Sequence, residues 1–141
     1  MTTLDAWLAR YGESHRHRVN EAIHWICVPA IAWSAIALAW WVSPYAAIVL
    51  CALALAFYAV LSVPVALGML AFVGLAIEAC VRLDRHVAAV AVAVFVVAWI
   101  GQFVGHKVER RKPAFLDDVK FLLIGPAWVL ATLMRRLRIP C

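Results

Sequence analysis

Four of the five histidines fall in two short stretches: His15, His17 and His24 near the N-terminus, and His106 far along the chain. Neutral imidazole is a strong ligand for first-row transition metals, and the helices of a bundle can each contribute a ligand to one ion. Polar neighbours recur at helical spacing. Asn20 and His24 are i, i+4, as are Gln102 and His106, while His106 and Glu109 are i, i+3, so each set shares a helix face. His15 precedes His24 by two and a half helical turns, so the two share a metal only if the chain breaks between them.

Other polar residues read more simply. His17, between Arg16 and Arg18, reads as solvated, and His86 as a boundary residue. Glu78 with Arg82 four residues later suits a local ion pair at a span end. Cys27, Cys51, Cys80 and Cys141 form no CxxC pair, and the first three sit in apolar runs as small hydrophobes, which argues for neither disulfides nor a zinc knuckle.

The elements that must position these groups are membrane helices. The chain has 141 residues, 67% of them hydrophobic and 15% charged, with a mean hydropathy of +0.91. A water-soluble domain is only about half apolar, so a soluble enzyme is excluded. No Asp, Glu, Lys or Arg occurs from Trp25 to Ile77. One helix over that run would be about 80 Å long, against roughly 30 Å of hydrocarbon, so the chain must fold back. Ser43-Pro44 and Ser62-Val63-Pro64 supply stops and restarts, which predicts spans near 25–42, 45–62 and 64–81. A fourth, 87–104, follows the polar break Arg82-Leu83-Asp84-Arg85. The expectation is an all-α helical bundle in the membrane, one domain with four transmembrane spans. Residues 1–22 form an N-terminal segment too long and polar to be a signal-peptide n-region, and 105–118 a basic loop. The stretch 119–134, with Lys120 at its start and Gly125-Pro126 inside, is too short for a full span and reads as a shallow or re-entrant helix.

Four crossings return the chain to its starting face, so both histidine stretches end at one surface. Arg10, Arg16, Arg18, Lys107, Arg110, Arg111 and Lys112 flank that surface, against Arg82 and Arg85 at the other, which predicts cytoplasmic termini and a cytoplasmic site. The formal charge of +5 hugs span ends, which suits anionic lipid head groups rather than nucleic acid. Trp25, Trp40, Trp41 and Trp99 lie toward span ends and read as interfacial anchors.

Several of these residues fall into motifs. Tyr11, Ser14-His15, Asn20, Ile23-His24 and Pro29 resemble the N-terminal motif of the 2-hydroxy fatty acid dioxygenases, small multi-span proteins whose founding activity lies in the metabolism of phytosphingosine to odd-numbered fatty acids. Trp99-Ile100-Gly101-Gln102-Phe103-Val104-Gly105-His106, continuing Glu109-Arg110-Arg111-Lys112-Pro113-Ala114, resembles that family's W-x-x-Q-F-x-G-H and E-[KR]-[KR]-[KR]-P-A signature, and Gly125-Pro126 is a third match. The resemblance runs from about Tyr11 to Leu133, and between Ala35 and Ala98 it is one of apolar character only.

The resemblance implies an Fe(II)-dependent dioxygenase that takes a 2-hydroxy fatty acid and O2 to the fatty acid one carbon shorter. It makes His15, His24 and His106 the iron ligands, and it assigns Asn20, Gln102 and Glu109 as the catalytic polar positions. The His106-to-Glu109 step is one residue shorter than in eukaryotic members, which turns the carboxylate by about 100° on a helix. Three neutral ligands would leave room on the ion for a bidentate 2-hydroxy carboxylate and for O2. Arg110, Arg111 and Lys112 are candidates to pair with the substrate carboxylate. The acyl tail would lie between apolar spans, each buried CH2 contributing roughly 0.8 kcal/mol. Two other readings stay open: a bis-histidine haem protein with His24 and His106 as axial ligands, and a non-catalytic membrane scaffold.

Overall fold

The computed structural model describes residues 3–141. Residues 1 and 2 of the expected 1–22 segment lie outside the described residues. The described chain is all-α: α1 (Thr3–Gly12), α2 (Arg18–Val42), α3 (Pro44–Leu61), α4 (Val63–Leu83), α5 (Val87–Glu109) and α6 (Phe121–Arg136), with single 3₁₀ turns at Asp84–His86 and Ala114–Leu116. Three stretches are long and apolar enough to cross a membrane: Arg18–Val42, Pro44–Leu61 and Val63–Glu109, the last including the turn at Asp84–His86.

The breaks follow from the serine–proline pairs. Ser43 caps α3 by accepting from the Ala46 N–H at 3.3 Å, with Pro44 in the first turn, where its missing N–H costs nothing. Ser62 does the same for α4 through Val65, at 3.4 Å. Leaving α4, Asp84 takes a positive φ of 46° and the chain reverses into α5.

Antiparallel packing of α5 on α2 is the principal helix pair. Ala37 of α2, Cys80 of α4, and Val87 and Ala91 of α5 cluster at one end, all buried. Toward the other end the backbones approach through glycine. A β-carbon on Gly101 would stand 2.6 Å from the Cys27 Sγ, and one on Gly105 would stand 2.5 Å from the Asn20 Oδ1. The G-x-x-x-G spacing thus lets α5 lie close on α2, as small residues do between membrane helices. A second apolar cluster joins Leu4, Leu8 and Tyr11 of α1 to Tyr58, Val65 and Met69 and to Phe121, Ile124 and Ala127 of α6. Leu50, Leu53, Val60, Leu67, Leu75 and Val97 stand exposed on α3, α4 and α5, a large apolar surface of the kind that faces lipid.

The observed helices extend past the hydropathy-based boundaries. α2 starts at Arg18 rather than 25, and α5 runs to Glu109 rather than 104, so five residues of the expected 105–118 loop are helical. The reason is that Asn20, Gln102 and His106 are polar yet buried against the neighbouring helix, and hydropathy registers polarity alone. Likewise the 1–22 segment holds a helix, α1, whose buried face of Leu4, Leu8 and Tyr11 packs on α6. The helix expected at 119–134 runs over Phe121–Arg136 and closes one side of the bundle against α1, α2 and α4. Arg135 to Asp5 at 2.8 Å and Arg136 to Glu21 at 3.1 Å tie it to α1 and α2. Glu78 and Arg82 form the expected i, i+4 pair at 2.7 Å, exposed to its surroundings.

Candidate metal centre

His15 lies in the break between α1 and α2, His24 in the second turn of α2 and His106 in the last turn of α5. A continuous helix would hold His15 away from His24, and residues 13–17 instead turn the chain back over it. The ring centroids are 4.0 Å apart for His15 and His24, 4.9 Å for His24 and His106, and 5.3 Å for His15 and His106. One nitrogen from each ring lies within 4.8 Å of the other two, and all three residues are buried.

Two of the rings are already oriented. His15 Nδ1 donates to the Tyr11 carbonyl at 2.6 Å and His24 Nδ1 to the Asn20 carbonyl at 2.9 Å. A proton committed at Nδ1 leaves the Nε2 lone pair free, which is how metal-ligating histidines are usually held. The His15 Nε2 and the His106 Nδ1 are buried without a partner. Unpaired buried nitrogens are costly, and a cation held among the three rings would satisfy both. Burial pushes the His15 imidazole below its ordinary value, against the Tyr11 carbonyl and the Glu109 carboxylate, so the ring is neutral at pH 7 and available as a ligand.

Glu109 does not point at the three rings. Its carboxylate accepts from the backbone N–H of Arg16 at 3.1 Å and of His17 at 2.8 Å, and from the Asn20 amide at 3.2 Å. The same Asn20 amide donates to the Ser14 carbonyl at 3.0 Å. The turn carrying His15 is therefore clamped on both sides, by a residue one turn before His24 and a residue one turn after His106. In this geometry Asn20 and Glu109 position the turn that carries His15. Gln102 is buried and stands beside the His24 ring.

His24, Gln102 and His106 form the polar end of an apolar cavity of about 490 Å³. Its walls come from Val28 to Ala39 of α2, Ala47 to Tyr58 of α3, Met69 to Val73 of α4, and Phe95 and Trp99 of α5, with Phe121 to Pro126 of α6 closing one side. From His24 to Ala39 the cavity follows α2 for about 22 Å. Arg110, Arg111 and Lys112 are exposed and none of them lines it. Arg111 and Lys112 instead border a separate polar recess with Arg10, Glu13 and Asp117, because the left-handed Arg110 ends α5 and turns the chain away from the rings. Trp99, read as an interfacial anchor, is on the cavity wall and packs edge-on against Phe115 at 5.3 Å. His17 is exposed and caps α2 through the Val19 N–H, and His86 is exposed in the turn before α5.

The family model described as 2-hydroxy-palmitic acid dioxygenase Mpo1-like matches residues 1–137. The chain belongs to this family. A curated relative, the 2-hydroxy-palmitic acid dioxygenase MPO1 of Saccharomyces cerevisiae, is 34% identical over 136 residues, covering 90% of this chain and 77% of the relative. No solved structure matches the chain. For this Mpo1-like chain the sequence motifs included Tyr11 without giving it a role in the site and missed Trp128. Tyr11 stacks on His15 with centroids 4.3 Å apart, and Trp128 packs on both, at 5.5 Å from Tyr11 and 5.3 Å from His15. The signal for Tyr11 was its i, i+4 spacing to His15, whereas nothing local marks Trp128.

Proposed function

We propose that this protein is a non-haem, ferrous-iron-dependent dioxygenase that cleaves 2-hydroxy fatty acids to the fatty acid one carbon shorter. The observation that carries the reading is the placement of three buried imidazoles, two with Nδ1 already committed, at the polar end of a long apolar cavity. The relative named as acting on 2-hydroxy-palmitic acid supports the substrate class.

His15, His24 and His106 would hold the ion. When bound, iron supplies activation of O2 and Lewis acidity toward the hydroxy acid. The protein does the rest. The Tyr11 and Asn20 carbonyls fix the tautomer of two ligands, and the Glu109–Asn20 clamp keeps the His15 turn closed. The cavity takes the acyl chain, each buried CH2 contributing roughly 0.8 kcal/mol, and excludes water from the reacting end. With O2 as the sole oxidant the equation closes: 2-hydroxy acid plus O2 gives the shorter acid, carbon dioxide and water. No reductant is consumed. Three rings meeting as a triangle favour one ion over a haem, which needs two imidazoles on opposite faces of a flat macrocycle.

The setting is a bilayer. We place four crossings at α2, α3, α4 and α5, with termini and histidines on the cytoplasmic side, supported by Arg10, Arg16, Arg18, Lys107 and Arg110–Lys112 at that end against Arg82 and Arg85 at the other. The test is incubation of the purified protein with ferrous iron, O2 and 2-hydroxypalmitate, with mass spectrometry for the C15 acid. Its formation is the expected result, and its absence at full iron loading would overturn the assignment.

A further inference from the structure

The cavity has an unmet need. A fatty acid brings a carboxylate to the histidine end, yet among the described residues no Lys or Arg side chain lines the cavity, and Arg111 and Lys112 border the separate polar recess. Tyr11 is buried, 6% exposed, and lines the cavity together with His24, Gln102 and His106. Its ring is fixed by stacking on His15 and by contact with Trp128 and Phe121. Its hydroxyl lies at Gly125, where a β-carbon would approach it to 3.0 Å, and Gly125 is itself on the cavity wall. Tyr58, the other tyrosine on that wall, spends its hydroxyl on the Leu123 carbonyl at 2.6 Å. Among the described residues, the Tyr11 hydroxyl has no such acceptor; the side-chain hydrogen bonds at this residue, from His15 and Ser14, go to its backbone carbonyl. A buried phenol without a partner, on the wall of a ligand cavity, is a donor held for the ligand.

We infer that the Tyr11 hydroxyl is a substrate-binding group that donates a hydrogen bond to the carboxylate of the bound 2-hydroxy fatty acid, in place of the ion pair that a Lys or Arg would make. The inference rests on the substrate class proposed above. It gives the site its preference for an acid over an equally long neutral lipid, and it explains why the glycine of Gly125-Pro126 faces this tyrosine: a side chain there would crowd the hydroxyl.

Tyr11→Phe keeps the stacked ring and removes only the donor. Binding to the protein in detergent, under nitrogen to prevent turnover, is read by tryptophan fluorescence, since Trp128 and Trp99 border the site. The ligands are 2-hydroxypalmitate and 1,2-hexadecanediol, which keeps the chain and hydroxyl but lacks the carboxylate. A hydrogen bond to a charged acceptor corresponds to about a ten- to hundredfold change in affinity. Tyr11→Phe should weaken the acid by about that factor, leave the diol within about twofold, and leave bound iron per chain unchanged. In turnover the loss should fall on KM more than on kcat. Equal weakening of acid and diol, or none of either, overturns the role of the phenol. A wild type that binds the acid no better than the diol removes the substrate reading itself, and the phenol's role with it.

Discussion

The two ends of the α2–α5 pair are built from the same two helices, yet their contacts hold different side chains. At one end Ala37, Cys80, Val87 and Ala91 fill the contact with small apolar side chains, with Trp33 packed beside them. At the other, Gly101 and Gly105 bring the backbones together, and the contact contains Asn20, His24, Gln102 and His106, all buried. A buried contact between these helices therefore does not by itself make a site. What distinguishes the second end is the kind of polar atom left without a protein partner: the His15 Nε2, the His106 Nδ1 and the Asn20 Oδ1 can each offer a lone pair, whereas the unpartnered atom beside the apolar cluster, the Trp33 indole N–H, is a donor only. Burial of such groups costs free energy unless something satisfies them, and imidazole nitrogens from three rings within 4.8 Å of one another are a donor set that suits a cation.

The comparison breaks most visibly at the three histidines. His24→Ala or His106→Ala is expected to abolish iron binding and turnover, whereas Cys80→Ala at the opposite end should leave the iron content of the purified protein at the wild-type level. Glu109→Ala comes next. It frees the Arg16 and His17 N–H groups and lets the His15 turn open, for which about a ten- to hundredfold loss of metal affinity is expected. Glu109→Gln, which keeps one acceptor oxygen, should recover part of it, measured by competition with a chelator of known affinity.

Overpacking sharpens the contrast. Gly105→Ala forces a β-carbon on the Asn20 amide, and Ala91→Leu crowds the apolar end. Each is expected to cost about 1–3 kcal/mol of stability. Only the first should also weaken iron binding, so melting curves alone would not separate them and metal titration would. The smallest effect belongs to Arg110→Ala, Arg111→Ala and Lys112→Ala. These side chains are exposed and outside the apolar cavity, so KM for the hydroxy acid should change by no more than about twofold.

Much of this site was legible in the chain before any coordinates. The i, i+4 pairs Asn20–His24 and Gln102–His106 marked the faces that meet, and the nine-residue step from His15 to His24 required the break that lies between α1 and α2. Ser43-Pro44 and Ser62 marked two of the helix junctions within a residue, because capping and proline chemistry act locally. What sequence alone left open depends on contacts distant in the chain. Glu109 carries no local sign that its carboxylate will meet the N–H groups of residues 16 and 17. The basic triplet reads as a carboxylate site by charge, and only the left-handed turn at Arg110 shows that it faces elsewhere. Trp99 near a span end looks like an anchor until the cavity is seen beside it.

One measurement addresses the central claim, that three imidazoles from the two ends of the chain share a single ion. Ferrous iron is titrated anaerobically into the purified wild type and into the protein carrying His15→Ala, His24→Ala and His106→Ala together. The account predicts one tightly held iron per wild-type chain and none in the triple variant. Equal, stoichiometric binding by both proteins would contradict it.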